Sequence, residues 1–535
     1  MKPYLLLLLF IILLPGCAVN PVTGKNELSW VSEATQIRIG ELQYGPSQQA
    51  QGGAYLADPT INKYVNEVGQ RIAKFAPVKL PYEFVVLNND IPNAWALPGG
   101  KIAVNRGLLL ELRNEAELAA VLSHEIVHAA AKHGAQAMQR NTLSQGLLAA
   151  TALVVSQADH SEYADYVVGG AQAGLQLIST RYGRNAELES DYYGIQYMIA
   201  AGYNPKAAVT LQETFLRLSE NKEQGWLEGL FASHPPSGER VATNRETIAQ
   251  LTETETKTKT KTKRLYEERY QTKLSHMRSS KAAYVESKQA QKLASESKFE
   301  EALAALSKAI EIEPNEAKFY ATEGSIHYQT KNYKQAEASF TQALALNDNY
   351  YEYYLGRGLS RNQQGNKKAA REDLERSINL LPTATANQQL GKIALDGGDR
   401  SGAKKFFRQA MGAQGPIGEY AKTAYLKLDI VDNPTHYLST ELKPSSNGQL
   451  IIVINNGADI NIASLSLSIT ALIGNREGGN KGADQKKVAQ QEVNRSLLVL
   501  NLNANSAQQY PSAWYIDEAT WVKELDISIT DLVLK

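Results

Sequence analysis

The chain of 535 residues has a single cysteine, Cys17, so it can form no disulfide within itself and offers no Cys-based zinc ribbon or thiol redox pair. Any metal site must draw on histidine and carboxylate. An excess of either charge is also lacking. Lys and Arg number 56 and Asp and Glu 56, which excludes a basic nucleic-acid binder. Long apolar runs are scarce: Leu5–Leu14 stands out, and it is too short to span a bilayer, which takes about 20 apolar residues. With 43% hydrophobic and 21% charged residues, the composition is that of an ordinary globular protein, and the length suits about three domains.

What is present begins with that short run. Lys2 precedes it and Leu14-Pro15-Gly16-Cys17 closes it, a pattern that resembles a bacterial lipobox. Residues 1–16 are therefore expected to be a lipoprotein signal peptide, and Cys17 the lipidation site whose acyl chains anchor the protein to a membrane. Ala18 rather than Asp in the next position suggests the outer membrane.

Residues 17–251 mix two periods. Tyr64, Val65, Val68, Ile72 and Phe75 recur at helical spacing, Tyr82–Leu87 and Lys101–Val104 read as strands around the turn Pro98-Gly99-Gly100, and Leu118–Met138 reads as one long helix. Gly146–Leu177, rich in Ala and Gly, is expected to be a buried or lid-like helical pair. Thr252–Lys263 alternates Thr with Glu and then Lys, with no apolar face, and opens an expected linker over 252–282. Beyond it the chain repeats. Phe299, Tyr333 and Lys367 are 34 residues apart, as are Ala302, Ala336 and Ala370, and Gly324 and Gly358. Over 283–412 this resembles the tetratricopeptide repeat, a stack of helical hairpins that holds a partner. After a connector at 413–437 the period changes to two: Leu465, Leu467 and Ile469 alternate with Ser464, Ser466 and Ser468, and Asn456-Gly457 signals a hairpin turn. Residues 438–535 are expected to form a small β-sandwich.

The chemistry lies in His124-Glu125-Ile126-Val127-His128. Residues four apart share a helix face, so two imidazoles can hold one zinc while Glu125 reaches a water beside it. His133 lies about 180° around a continuous helix from His124, which excludes it as the third ligand. Downstream, Glu187 and Asp191 are again four apart, so that one can ligate zinc while the other accepts the outer N–H of a ligand histidine; Glu189 is expected to face away.

His124–His128, Glu187–Asp191 and His234-Pro235-Pro236 with Arg240 six residues on resemble the zinc metallopeptidase family that includes the CAAX-prenyl proteases, HtpX and the soluble periplasmic BepA-like enzymes. Ser190 stands where that family usually has Ala. The resemblance implies an α+β zincin-type metalloprotease domain over 17–251, followed by the all-α tetratricopeptide-repeat solenoid and the small all-β sandwich-like domain. It implies one zinc per chain on His124, His128 and Glu187, with Glu125 as general base and Asp191, His234 and Arg240 in the catalytic site. His234 is open between two roles, a transition-state donor or an extra ligand of a latent state, and Arg240 between catalysis and structural pairing. Asn93–Gly100 resembles the family's substrate-facing edge strand. The implied function is an endopeptidase at the periplasmic face of the outer membrane. It acts on protein or peptide substrates, docks envelope or outer-membrane assembly proteins through its repeats, and binds no nucleic acid. The alternative is a chaperone-like adaptor with an idle protease site.

Overall fold

A computed structural model describes residues 17–28, 31–138, 181–220, 229–255, 264–447, 449–475, 489–515 and 520–534. The expected signal peptide and the helical pair at Gly146–Leu177 lie outside these residues. Contacts divide the chain into two units, Met1–Pro382 and Thr383–Lys535.

The first unit opens with an antiparallel hairpin, β1 (Cys17–Val19) and β2 (Asn26–Leu28). Helix α1 (Glu33–Ala50) is capped by Ser32, whose side chain accepts from the Thr35 N–H. Helix α2 (Pro59–Ala73) starts on the Asp58 cap with proline in its first turn, and buries Ile61, Tyr64, Val65, Val68 and Ile72 on one face. A three-stranded sheet follows: β3 (Glu83–Leu87), β4 (Ala94–Leu97) and β5 (Lys101–Asn105), in the order β3-β5-β4. Strand β5 runs parallel to β3 and antiparallel to β4, which leaves β4 at an edge. The tight β4–β5 turn requires Gly99 and Gly100, at φ +80° and +87°.

Helix α3 (Arg106–Glu111) leads to α4 (Glu115–Ala130), all 16 residues of which are buried. The continuous helix expected to Met138 is instead broken. Lys132 adopts φ +63°, and residues 133–138 form a new helical segment. Helix α5 (Arg184–Ala200) packs on α4, and α6 (Lys206–Glu220), the short α7 (Leu230–Ser233) and α8 (Gly238–Glu255) complete the surround.

The stretch expected as a linker differs from that reading. Helix α8 continues to Glu255, and α9 (Glu267–Lys273) and α10 (Ser275–Ser279) pack into the main core. Tyr270, Leu274 and Met277 are fully buried there with α2 and α4. Their spacing is that of one helix face, and the adjoining Thr/Lys run hid it.

Three helical hairpins of the repeats belong to this unit: α11 (Lys281–Ser295) with α12 (Phe299–Ile312), α13 (Ala317–Gln329) with α14 (Tyr333–Leu346), and α15 (Tyr351–Gln363) with α16 (Lys367–Leu380). They join the part before residue 281 through polar contacts. Gln49 donates to the Asn349 carbonyl at 2.8 Å and accepts from the Tyr351 N–H at 2.9 Å. Asn88 donates to Glu316 at 2.9 Å, and the Arg106 guanidinium lies 3.6 Å above the Tyr284 ring.

The second unit holds a further hairpin, α17 (Ala384–Asp396) and α18 (Arg400–Ala410), and α19 (Pro416–Asp432), which occupies most of the expected connector. Two three-stranded antiparallel sheets follow. One is β6 (Leu438–Pro444), β7 (Gln449–Asn456) and β10 (Ser506–Tyr515); the other is β8 (Ile462–Asn475), β9 (Ala489–Leu502) and β11 (Thr520–Leu534). Leu450, Ile452 and Ile454 of the first share a core with Leu465, Leu467 and Ile469 of the second, as two packed sheets require. Asn456-Gly457 does not close a hairpin. Strand β7 pairs with β6 and β10 instead, and Asn456 bonds the carbonyls of Ile460 and Asn503 where the chain changes sheets. Among the described residues no helix is long and apolar enough to cross a membrane.

Candidate metal centre

Asn114 starts α4 by accepting from the Glu117 N–H at 3.0 Å, and one turn of that helix sets His124 and His128 on the same face. Their Nε2 atoms are 3.0 Å apart. Glu187, in the first turn of α5, brings Oε1 to 3.3 Å from His128 Nε2 and Oε2 to 3.5 Å from His124 Nε2. His234, just past α7, places Nδ1 at 3.0 Å from Glu187 and 3.3 Å from His124 Nε2. One donor atom from each of the four lies within 4.8 Å of the others, and all four residues are buried.

This set fits zinc. Ligand atoms around a tetrahedral ion at 2.0–2.1 Å are about 3.3 Å from one another, and the pairs above span 3.0–3.5 Å. Two imidazoles, a third imidazole and a carboxylate are also the donor types zinc takes. Glu125 stands outside the set but beside it, 3.5 Å from His234 Nε2 and 1% exposed, with Oε2 lacking any hydrogen-bond partner among the described residues.

Outer contacts hold the inner ones. His124 Nδ1 is 2.9 Å from Asp191, and Arg240 on α8 grips both Asp191 oxygens at 2.7 and 2.8 Å while its Nη1 lies 2.8 Å from Glu187. Burial would push the His124 imidazole down, but Glu187 and Asp191 outweigh it and raise the pKa to about 9. Burial, helped by the neighbouring His124 and His133, holds His128 well below its ordinary value against the opposite pull of Glu187. Glu187 is held well below the usual carboxylate range because His234 and Arg240 overcome its burial, and Arg240 does the same for Asp191. Glu125 goes the other way: burial raises it more than His234 and His124 lower it.

The structure thus brings together His124, Glu125, His128, Glu187, Asp191, His234 and Arg240 from α4, α5, α8 and the segment after α7. Glu189 points elsewhere, toward His133 and Lys25. Cys17 lies in β1. Tyr182 carries no motif and was missed: its ring stacks on His128 at 4.0 Å between centroids.

An α+β core carrying a buried His-Glu-x-x-His helix and a downstream carboxylate has the ligand arrangement of zinc metallopeptidase domains. Residues 59–248 match the model of Peptidase family M48, and residues 317–350 that of the tetratricopeptide repeat. Among curated proteins, the chain is 29% identical over 238 residues to the Beta-barrel assembly-enhancing protease of Escherichia coli (strain K12), covering 43% of this chain and 47% of that protein. It is 31% identical over 236 residues to the Mitochondrial metalloendopeptidase OMA1 of Schizosaccharomyces pombe, covering 43% and 66%. Metalloprotease YcaL of Escherichia coli (strain K12) is 29% identical over 193 residues, covering 34% and 71%. The match to the assembly-enhancing protease thus spans about half of that protein's length.

Proposed function

We propose that the chain is a zinc-dependent endopeptidase, lipid-anchored through Cys17 at the periplasmic face of the bacterial outer membrane, that degrades misassembled or misfolded envelope proteins. Its repeats dock partners or substrates from outer-membrane assembly. The observation that carries the activity is the buried Glu125 carboxylate, with one oxygen unpartnered among the described residues, beside four convergent donors. The likeness to the Beta-barrel assembly-enhancing protease supports the setting.

In the reaction, zinc held by His124, His128 and Glu187 would supply a polarised carbonyl and an acidified water. Glu125 takes the water's proton and passes it to the leaving amine, and its raised proton affinity suits both transfers. Asp191 fixes His124 through Nδ1, and Arg240 keeps Asp191 and Glu187 charged and oriented.

A second reading, an adaptor whose site is latent, is favoured by one observation. With His234 counted, protein fills all four corners of the ligand set, as in closed structural sites rather than catalytic ones. His234→Ala separates the roles: activity rises if His234 closes the site and falls if it serves the transition state.

The test is metal analysis and casein digestion by the chain from Cys17 onward, beside Glu125→Gln. One zinc per chain is expected in both proteins. Cleavage should fall at least 10²–10⁴-fold in the variant, because the amide cannot take the proton. Wild-type-like cleavage by purified Glu125→Gln would remove the mechanism.

A further inference from the structure

The two ligand histidines are backed differently. A histidine that ligates through Nε2 carries its proton on Nδ1, and a buried N–H needs an acceptor. For His124 the acceptor is a carboxylate, Asp191. For His128, 1% exposed, the atom facing Nδ1 is another ring nitrogen, His133 Nδ1 at 2.9 Å. That nitrogen can accept only if His133 carries its own proton on Nε2. His133 Nε2 faces Glu189 Oε2 at 3.3 Å, and Lys25 of the β1–β2 hairpin holds the other Glu189 oxygen at 2.8 Å. Every donor in this series meets an acceptor, running from His128 through His133 to Glu189.

The backbone is bent to make this possible. On a continuous helix His133 would sit on the far side from His124. The positive φ of Lys132, costly for a residue with a Cβ, ends α4 and folds His133 back under His128. Asn20 of the same hairpin donates to the Ala131 carbonyl at 3.1 Å, so the N-terminal segment is tied to the break as well as to Glu189. We infer that His133 is a positioning residue for the metal ligand His128, its accepting face set by Glu189 and Lys25. This rests on the zinc reading of the site above.

The experiment measures zinc affinity by chelator competition, and the visible spectrum after cobalt substitution, for the full chain and four variants. His133→Ala and His133→Leu should each bind zinc roughly 10–100-fold more weakly, the loss typical of removing a ligand's outer partner. His133→Asn should recover most of the affinity and the wild-type cobalt spectrum, because its side-chain oxygen can accept from His128 Nδ1. A packing role alone would give the reverse order, with Leu rescuing and Asn failing. Glu189→Ala, partly exposed, should cost several-fold and keeps the test open should the buried variants fold poorly. Wild-type affinity in both His133→Leu and Glu189→Ala, or better rescue by Leu than by Asn, would overturn the inference alone. A wild-type chain that takes up no zinc would defeat the zinc reading and the inference with it.

Discussion

In the metal-binding part of the first unit, the side chains that fasten distant elements are polar and buried. Glu115, fully buried at the start of α4, accepts 2.8 Å hydrogen bonds from Tyr64 and Tyr203 and pairs with Arg269, residues 51, 88 and 154 positions away. In the repeats the fastening is short in range, polar where Arg357 grips Asp373 at 2.7 and 2.9 Å and apolar where a large side chain covers a glycine. Phe340 covers Gly324, Leu374 covers Gly358, and in the second unit Phe407 covers Gly391, each pair within one hairpin. The first arrangement depends on partners that no local pattern announces, and loses much when one is removed, since a buried charge is left alone. The second sums many similar neighbour contacts and yields locally.

The largest effect that would test this contrast is a truncation. A chain ended at Leu251 loses Arg269 and leaves the buried Glu115 facing Arg71 at 3.7 Å, at a cost of up to about 3–5 kcal/mol. It also loses Tyr270, Leu274 and Met277, each worth about 1.5–3 kcal/mol of burial. Together these are comparable to the whole stability of a domain. It should be unfolded and zinc-free, whereas a chain ended at Ser280 should keep a cooperative thermal transition and its zinc. Equal melting of the two by circular dichroism would show that the long-range links are dispensable.

The same contrast decides what was legible in the sequence. The 34-residue period was readable because each repeat writes its own packing: Gly or Ala on one helix, a large apolar residue 16 positions on. His124, Glu125 and His128 were readable because helix periodicity alone puts them together, and Glu187 and Asp191 for the same reason. The wheel failed where the backbone left the helix, at Lys132, so His133 was placed on the wrong side. Residues 264–280 were read as linker because their partners, Glu115 and the Leu109 carbonyl, lie more than 150 positions away. Tyr182, which meets His128 only after the chain returns across a long segment, left no signal at all.

The repeats offer the next test. Phe340→Ala should cost about 3–5 kcal/mol, the range for removing a buried ring. Loss confined to the helical hairpins, read by hydrogen exchange, with zinc content unchanged, is the expected pattern. Zinc lost in step with the hairpins would mean that the bonds from Gln49 and Asn88 to the repeats make one cooperative body of the unit.

The smallest effect concerns a polar fastening in the second unit that is local rather than distant. Asp429 on α19 accepts from Lys404 at 2.6 Å, Tyr437 at 2.6 Å and Asn433 at 2.8 Å. Burial alone would raise its pKa, but these three donors outweigh burial and lower it from 3.8 to about 2. Because the folded value lies below the unfolded one, the carboxylate contributes stability that is present above pH about 4 and is lost as pH falls toward 2. The contribution is at most about 2.5 kcal/mol, since one pKa unit is worth about 1.4. Asp429→Asn should lower stability at neutral pH by no more than that and flatten the fall between pH 4 and 2 in urea unfolding followed at the second unit. A variant with the wild-type slope would show that other carboxylates set the acid limit, and that in this unit the apolar contacts, not the ionic one, govern cohesion.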